Sequence, residues 1–399
     1  MKRTPSLNPS LPRLLLIFGV VVAGCSPPSS DPPNPFYSNS GGGGGNGGAA
    51  RVSPLAHTET ETQALLFPLG TVPYDNFSLP LVSPDGLTIA TQTGVPPLYE
   101  TVLASKNTGV PEATHLEIYR LIEGGQPQLI TNLTVPALLG RSIDDEGFLI
   151  EAPQPDGSRW IGKASWQTGV ITWLVQDQFV NAFASLGPDG QLAWSRRAIE
   201  EDHFHLVIQH GEKTFTYGEE SSDHWLFPTW SGRSDGLFIL HLSGPNLAVA
   251  HLIATSPAAI RQSLRTLPLI IDGSILWAHK TMSTVVNNAT PQNQPLLEQL
   301  VFFHPRDSRM VIWRPWATDS RPLPLIESSI AAQIHGPDAL VTTTTKLIRQ
   351  NLQNPRDRIK ISGGGAHIAR PTTKKEWPFL LLTPREGSVQ VSGLYLGAR

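Results

Sequence analysis

The sequence predicts an all-β fold for most of its 399 residues, and three observations support this prediction. Proline and glycine are frequent, at 36 and 35 residues, and they interrupt the chain too often for long helices. Short apolar runs rich in strand-forming residues recur, for example at residues 116–122, 237–242 and 310–313. Tight turns of the Asp-Gly kind precede many of these runs. The best helix candidate is the weak pattern at residues 256–264.

The turns recur at a regular spacing. Well-formed copies begin at Ser83, Gly187 and Ser231, and more degenerate copies begin at Asp144, Ile271, His304, His335 and Thr383. Their mean spacing is about 43 residues, and a four-stranded propeller blade takes about 40 to 45 residues. We therefore predict a β-propeller of about seven four-stranded blades over residues 51–399, with six or eight blades, a sandwich or two small β domains as alternatives. Closure of the ring should bring residues 65–69 near residues 394–396.

The turn sequences also carry a family resemblance. Ser83-Pro84-Asp85-Gly86 and the turn at Gly187 resemble the Ser-Pro-Asp-Gly repeat of TolB-type and WD-repeat-like propellers. The resemblance covers the chain from about residue 65 to its end. It implies that each turn joins the first two strands of a blade, and it supports a fold better than a function.

The first residues predict export from the cytoplasm. A basic start is followed by the short apolar run at residues 14–22, so residues 1–24 are predicted to be a signal peptide. The run has about ten residues, fewer than the roughly twenty that a membrane-spanning helix needs. Val22-Ala23-Gly24-Cys25 resembles a bacterial lipobox, which implies lipidation of Cys25 and anchoring to the bilayer. Ser26 in place of an aspartate favours the outer membrane over the inner one.

Residues 25–50 are predicted to be a disordered tether that follows the lipidated cysteine. They are dominated by proline, glycine and serine, and they cannot bury enough apolar surface to offset the entropy of ordering. Cys25 is the only cysteine in the chain, so an internal disulfide is excluded.

Candidate chemistry is sparse. His203 and His205 share a face if they lie on a strand, and two imidazoles can bind zinc or copper when a third ligand is added. The competing interpretation places the apolar residues between them in the core and directs His210 away from the pair. We favour the second interpretation, and we predict no metal, no cofactor and no catalytic residue. The sequence contains no phosphate-binding loop, because the glycines at residues 363–365 are not followed by Lys-Ser or Lys-Thr.

Acidic residues form short runs at residues 144–146, 200–202 and 219–220. Neighbours in sequence do not show the facing carboxyl groups that a glycosidase needs, so solvated loops explain them. Ten tryptophans are present, and we predict that most lie in the core while a few could line a sugar- or peptide-binding mouth.

These observations lead to one functional hypothesis and one alternative. We expect a lipid-anchored, extracytoplasmic propeller that binds a protein partner or acts as a scaffold in the cell envelope. The alternative is a propeller enzyme, a polysaccharide hydrolase or lyase acting at the central channel. A net charge of −3 gives no field that would attract nucleic acid.

Overall fold

The structure is a computed structural model, and the part of it described here begins at residue 60. The described ranges are 60–61, 65–74, 80–94, 115–133, 135–187, 189–230, 235–244, 246–266, 300–304, 309–313, 323–326, 329–335, 338–343, 345–352, 354, 356–363 and 368–395. The predicted signal peptide, the tether and Cys25 lie outside these ranges. The turn predicted at Ile271 lies outside them as well.

The described residues are almost entirely β-structure. In chain order the strands are β1 (Thr60–Glu61), β2 (Leu65–Pro73), β3 (Leu81–Val82), β4 (Thr88–Thr93), β5 (His115–Arg120), β6 (Gln128–Asn132), β7 (Leu138–Ile143), β8 (Gly147–Pro153), β9 (Arg159–Ser165), β10 (Ile171–Val175), β11 (Val180–Leu186), β12 (Leu192–Arg197), β13 (His205–His210), β14 (Lys213–Tyr217), β15 (His224–Trp230), β16 (Gly236–Ser243), β17 (Asn246–Ile253), β18 (Arg265–Thr266), β19 (Leu300–His304), β20 (Arg309–Trp313), β21 (Leu323–Pro324), β22 (Ser329–His335), β23 (Asp338–Thr343), β24 (Lys346–Asn351), β25 (Arg358–Gly363), β26 (Ile368–Pro371), β27 (Phe379–Arg385) and β28 (Ser388–Tyr395).

A single short helix, α1 (Pro257–Ser263), accompanies the strands in these ranges, and it lies within the predicted helix candidate. Ser256 caps it, because its side-chain oxygen accepts a hydrogen bond from the backbone N–H of Ala259 at 3.1 Å. Within the part of the chain that the structure describes, no helix has the length and apolar character needed to cross a bilayer.

Consecutive strands pair as antiparallel meanders. The sheets are β3–β6, β7–β14, β15–β18, β19–β21, β22–β25 with β1, and β26–β28 with β2. The first strands of successive sheets contact each other, β3 with β7 and β22 with β26, and within the eight-stranded sheet β7 contacts β11. β11 in turn contacts β15. This arrangement of meanders around a set of adjoining first strands is a β-propeller, so the predicted all-β propeller fold is confirmed.

The strand numbers differ from the prediction of about seven four-stranded blades. Among the described residues, three sheets have four strands, and the others have three, five and eight. The eight-stranded sheet arises because β11 pairs in parallel with β9 through Val180 and Arg159, which joins two meanders. The fifth strand of another sheet is β1, which pairs in parallel with β25. The described strands thus form six sheets, and the prediction of about seven four-stranded blades is not confirmed.

The early strand β2 closes the ring. β2 pairs antiparallel with β28, so that Leu65 lies opposite Tyr395 and Leu66 opposite Leu394. This pairing places an early strand in the last sheet and confirms the prediction that residues 65–69 meet the end of the chain; Leu396 lies outside the described ranges.

Hydrogen bonds between the first strands of successive meanders repeat at the spacing of the turns. The Oγ of Ser142 accepts the backbone N–H of Leu186 at 2.8 Å, and the Oγ of Ser185 accepts that of Trp230 at 3.3 Å. The partners are 44 and 45 residues apart, which matches the spacing of the turns. The indole N–H of Trp230 also donates to the carbonyl of Ser185 at 3.0 Å. These bonds satisfy buried backbone groups on the first strands.

Most of the predicted turns join the first two strands of a meander. In the best copy, the Oγ of Ser83 accepts the N–H of Thr88 at 2.9 Å, and Asp85 accepts the N–H of Leu87 at 3.0 Å. Gly86 has a φ of 70°, which a side chain disfavours. The turn beginning at Thr383 differs, because it joins β27 to β28, the second and third strands of the last sheet. The expectation implied by the family resemblance is wrong for that turn.

The aromatic core agrees with the sequence prediction. Six of the eight described tryptophans are buried: Trp166, Trp194, Trp225, Trp230, Trp313 and Trp377. Trp160 and Trp173 are half-buried and meet edge to face, with ring centroids 5.6 Å apart. The prediction that most tryptophans lie in the core is therefore confirmed for the described residues.

One ion pair is buried inside the eight-stranded sheet. Arg159 and Glu151 are 4% and 1% exposed, and their nearest charged atoms are 3.2 Å apart. The other carboxylate oxygen of Glu151 accepts the backbone N–H of Phe183 at 2.6 Å. Phe183 has a φ of 59°, an unusual conformation for a bulky residue. Glu151 thus links the second strand of one meander to a strained position on the first strand of the next.

Candidate functional site

Two loops lie at the same end of the β11–β14 meander, because alternate connections of a meander share an end. The first loop, residues 198–204, joins β12 to β13, and the second, residues 218–223, joins β14 to β15. We call seven of the ionisable residues on and beside them the histidine–carboxylate cluster: Glu201, Asp202, His203, His205, Asp223, His224 and His241.

The first loop is held by a buried arginine. The Nη1 atom of Arg197 donates to the carbonyl oxygens of Ala198, Ile199 and Glu201 at 3.1, 3.0 and 2.8 Å. The carboxylate of Glu201 also accepts the backbone N–H of Ala198 at 3.1 Å. This hydrogen bond is the main reason that the pKa of Glu201 is below its ordinary value, and the neighbouring His205 adds to the effect. These bonds fix the shape of an otherwise exposed loop.

The second loop is tied to the first through His205. Its Nδ1 lies 3.1 Å from the carbonyl oxygen of Gly218, and a carbonyl can only accept, so Nδ1 carries the proton. Its Nε2 lies 3.5 Å from a carboxylate oxygen of Glu201. His205 therefore bridges the two loops and faces an oxygen atom from each ring nitrogen.

His241 forms a second paired histidine. Its Nε2 lies 2.9 Å from a carboxylate oxygen of Asp223, and its ring stacks on Trp225 with centroids 4.1 Å apart. Burial raises the pKa of Asp223, but hydrogen bonds from His241 and Ser243 lower it by more. The pKa of Asp223 is therefore below its ordinary value. A negative charge at Asp223 is thus retained beside His241.

His203 and His224 lack such partners. Their rings meet edge to face with centroids 4.9 Å apart, and the Nδ1 atom of each is buried without a hydrogen-bond partner among the described residues. The pKa of His224 is lowered to about 4, mainly because the ring is buried and secondly because His203 lies nearby. His224 is therefore held neutral at physiological pH.

The histidines singled out from the sequence do not converge. His203 lies in the first loop, while His205 begins β13. The Nε2 atom of His210 lies 2.8 Å from the carbonyl oxygen of Ala254, away from the other two. No group of three or more metal-ligating side chains with suitable geometry occurs among the described residues.

Sequence reasoning missed His224, His241 and Asp223. His203 lies in the first loop and His224 begins β15 directly after the second loop. His241 reaches the group because it lies opposite Trp225 in the β15–β16 register. A four-stranded meander predicts that alternate loops share an end, and this rule could have brought the two loops together. The register that adds His241 has no comparable sequence signal.

The acidic runs have separate surroundings. Asp144 and Glu146 both lie beside Lys163, with nitrogen-to-oxygen distances of 2.5 and 2.8 Å. Glu219 and Glu220 are exposed on the second loop. The first strands β3, β7, β11, β15, β22 and β26 contain no aspartate or glutamate, so these described strands do not supply the paired carboxylates that the hydrolase alternative requires.

Comparison with known proteins gives structural likeness only. No protein-family model matches the sequence, and no curated protein matches it. The chain is similar to the WD40 domain of Neurospora crassa Pan2, with 9% identity over 86% of this chain and 98% of that chain and a TM-score of 0.49. It is similar to the Dos1 propeller, with 11% identity over 82% and 95% and a TM-score of 0.47. TolB from Acinetobacter baumannii gives 7% identity over 78% and 81% and a TM-score of 0.38.

At these low identities and TM-scores the likenesses carry no inference about function. The propeller assignment instead rests on the meanders, the adjoining first strands and the pairing of β2 with β28.

Proposed function

We propose that this chain is an extracytoplasmic lipoprotein whose propeller binds a protein partner in the cell envelope. The observation that carries the binding role is the pair of fixed, charged loops at one end of the β11–β14 meander. Arg197 and His205 hold these loops by hydrogen bonds, so little conformational entropy is lost when a partner binds them.

The charge of this end favours a basic partner surface. Glu201 and Asp202 of the first loop are exposed, as are Glu219 and Glu220 of the second. Carboxylates at the rim of an interface mainly accelerate association and select partners of opposite charge. We therefore expect a partner with lysine or arginine side chains at the contact.

The anchor is tested by labelling cells with a palmitate analogue and extracting the envelope with detergent. The proposal predicts that the wild-type chain is labelled, is cleaved before Cys25 and partitions into the detergent phase. Cys25→Ala should remove the label and the partitioning. A labelled Cys25→Ala chain, or an unlabelled wild-type chain, would contradict the lipoprotein assignment.

Partner binding is tested by crosslinking the native chain in envelope membranes and identifying what is captured. The variant E219Q/E220Q removes two charges from the second loop, and D189N/E212Q removes two from turns at the opposite end of the same meander. We expect the first variant to lose at least tenfold of the captured partner and the second to retain it. Equal capture by both variants would refute the assignment of this end as the binding surface.

A further inference from the structure

The contact between His203 and His224 joins the first loop to β15. The two rings meet at 4.9 Å, and the backbone N–H of Trp225 donates to the carbonyl of Phe204 at 2.8 Å immediately beside them. Each ring buries an unpartnered Nδ1 atom. The arrangement is stable only while both imidazoles are neutral, because like charges at this distance repel and a buried charge without a partner is costly.

The charged groups around this contact are distributed unevenly. The first loop provides Glu201 and Asp202, the loop before β15 provides Asp223, and Arg197 lies at the end of β12. The carboxylate of Glu201 lies beside Nε2 of His205, and the carboxylate of Asp223 lies beside Nε2 of His241.

Protonation of either of those paired histidines would create an ion pair. Asp202 acts on His224 only as a nearby charge, and the group that acts most strongly on His224 is the ring of His203. Protonation of His224 therefore has no matching carboxylate in direct contact.

We propose that the His203–His224 contact is an acid-sensitive closure, which holds the first loop against the start of β15 at neutral pH and releases it in acid. When His224 is protonated, the two rings separate, and the hydrogen bond between Trp225 and Phe204 breaks with them. The closure is a property of this end of the fold and does not depend on the identity of any binding partner.

The expected size follows from the protonation of His224 in the two states. Its pKa is about 4 in the closed state, and it returns to the ordinary value of 6.5 when the loop is free. Proton linkage then makes opening roughly thirtyfold more favourable at pH 5 than at pH 8. The flanking carboxylates remain ionised over this range, because the pKa values of Glu201 and Asp223 are lowered.

Hydrogen–deuterium exchange of the full chain at pH 8 and pH 5 measures this opening. Uptake in peptides spanning residues 198–226 is divided by the intrinsic exchange rate at each pH, and β9 serves as an internal reference. We expect protection of the first loop and of the Trp225 amide to fall roughly thirtyfold at pH 5, while β9 keeps its protection. A change below threefold in the wild-type chain would overturn the proposal.

Neutral variants separate this closure from general acid sensitivity. His224→Gln should reduce the pH-dependent change to less than threefold, and the exposed His115→Gln on β5 should leave it intact. A thirtyfold change that persists in His224→Gln would overturn the proposal. If His224→Gln does not fold, His224→Leu decides the outcome, because it is also uncharged at every pH and it is apolar at a buried position.

Discussion

Glu151→Gln is expected to be among the most destabilising conservative substitutions in this domain. The glutamine keeps the shape of the side chain and can still accept the N–H of Phe183, but its NH2 group then faces Arg159, so the change removes the negative charge and the hydrogen bond from Arg159. Two charges 3.2 Å apart interact by about 5 kcal/mol at an effective dielectric constant of about 20. Burial lowers the pKa of Arg159, while the charge of Glu151 raises it, so Glu151 offsets part of the desolvation of the guanidinium. We expect a loss of about 3–5 kcal/mol in the free energy of unfolding.

Urea denaturation of the purified chain measures this loss, with Glu123→Gln as the matched control. Glu123 is exposed, so its substitution should change the free energy of unfolding by less than about 0.5 kcal/mol. The double variant E151Q/R159M removes both charges and should be more stable than E151Q alone by about 2 kcal/mol or more. Additive losses in the double variant, or a loss below about 1 kcal/mol in E151Q, would refute the reasoning.

Three further predictions follow from the contacts described above. Ser185→Ala removes the acceptor of the Trp230 N–H and should lower the free energy of unfolding by about 1 kcal/mol in urea denaturation; an unchanged midpoint would contradict it. Leu69→Ala, on a strand that closes the ring, should cost about 2–5 kcal/mol, because Leu69 is fully buried, and a loss below 1 kcal/mol would argue against a packed closure. The pKa of His224 is lower in the folded than in the unfolded chain, so its contribution to stability is complete above pH 6.5 and is lost as the pH falls towards 4. Thermal and urea unfolding should therefore show about 2 kcal/mol less stability at pH 5 than at pH 8 from this residue, a difference that His224→Gln should remove.

The general architecture was predictable because one local turn pattern repeats along the sequence. The spacing of the Asp-Gly turns gives the size of a meander, and a ring built from such units must join its two ends. The proximity of residues 65–69 to residues 394 and 395 follows from that argument, while the register that places Leu65 opposite Tyr395 does not. Buried tryptophans and the capped helix at Ser256 also follow from local composition and chemistry.

The departures depend on contacts that have no local signal. The parallel pairing of Val180 with Arg159 is decided by how two neighbouring meanders pack, and it merges them into one sheet. The turn at Thr383 is a degenerate copy of the others but follows the second strand of its sheet, because β2 fills the fourth position. His203 and His224 meet only after the loops are placed. The sequence pattern therefore indicates His203 and His205, which are two residues apart, and gives no sign of His224.

The pairing of β2 with β28 also has a consequence for how the protein is made. β2 leaves the ribosome long before its partner β28, so the sheet that they share cannot assemble until β28 has been synthesised. An extended strand that waits without a partner can pair with another chain. Pro68 and Pro73 remove two backbone donors from β2, and the bulge between Pro68 and Gly70 breaks its regular register. The strand that completes the ring thus carries features that limit aggregation of nascent chains during the interval before its partner exists.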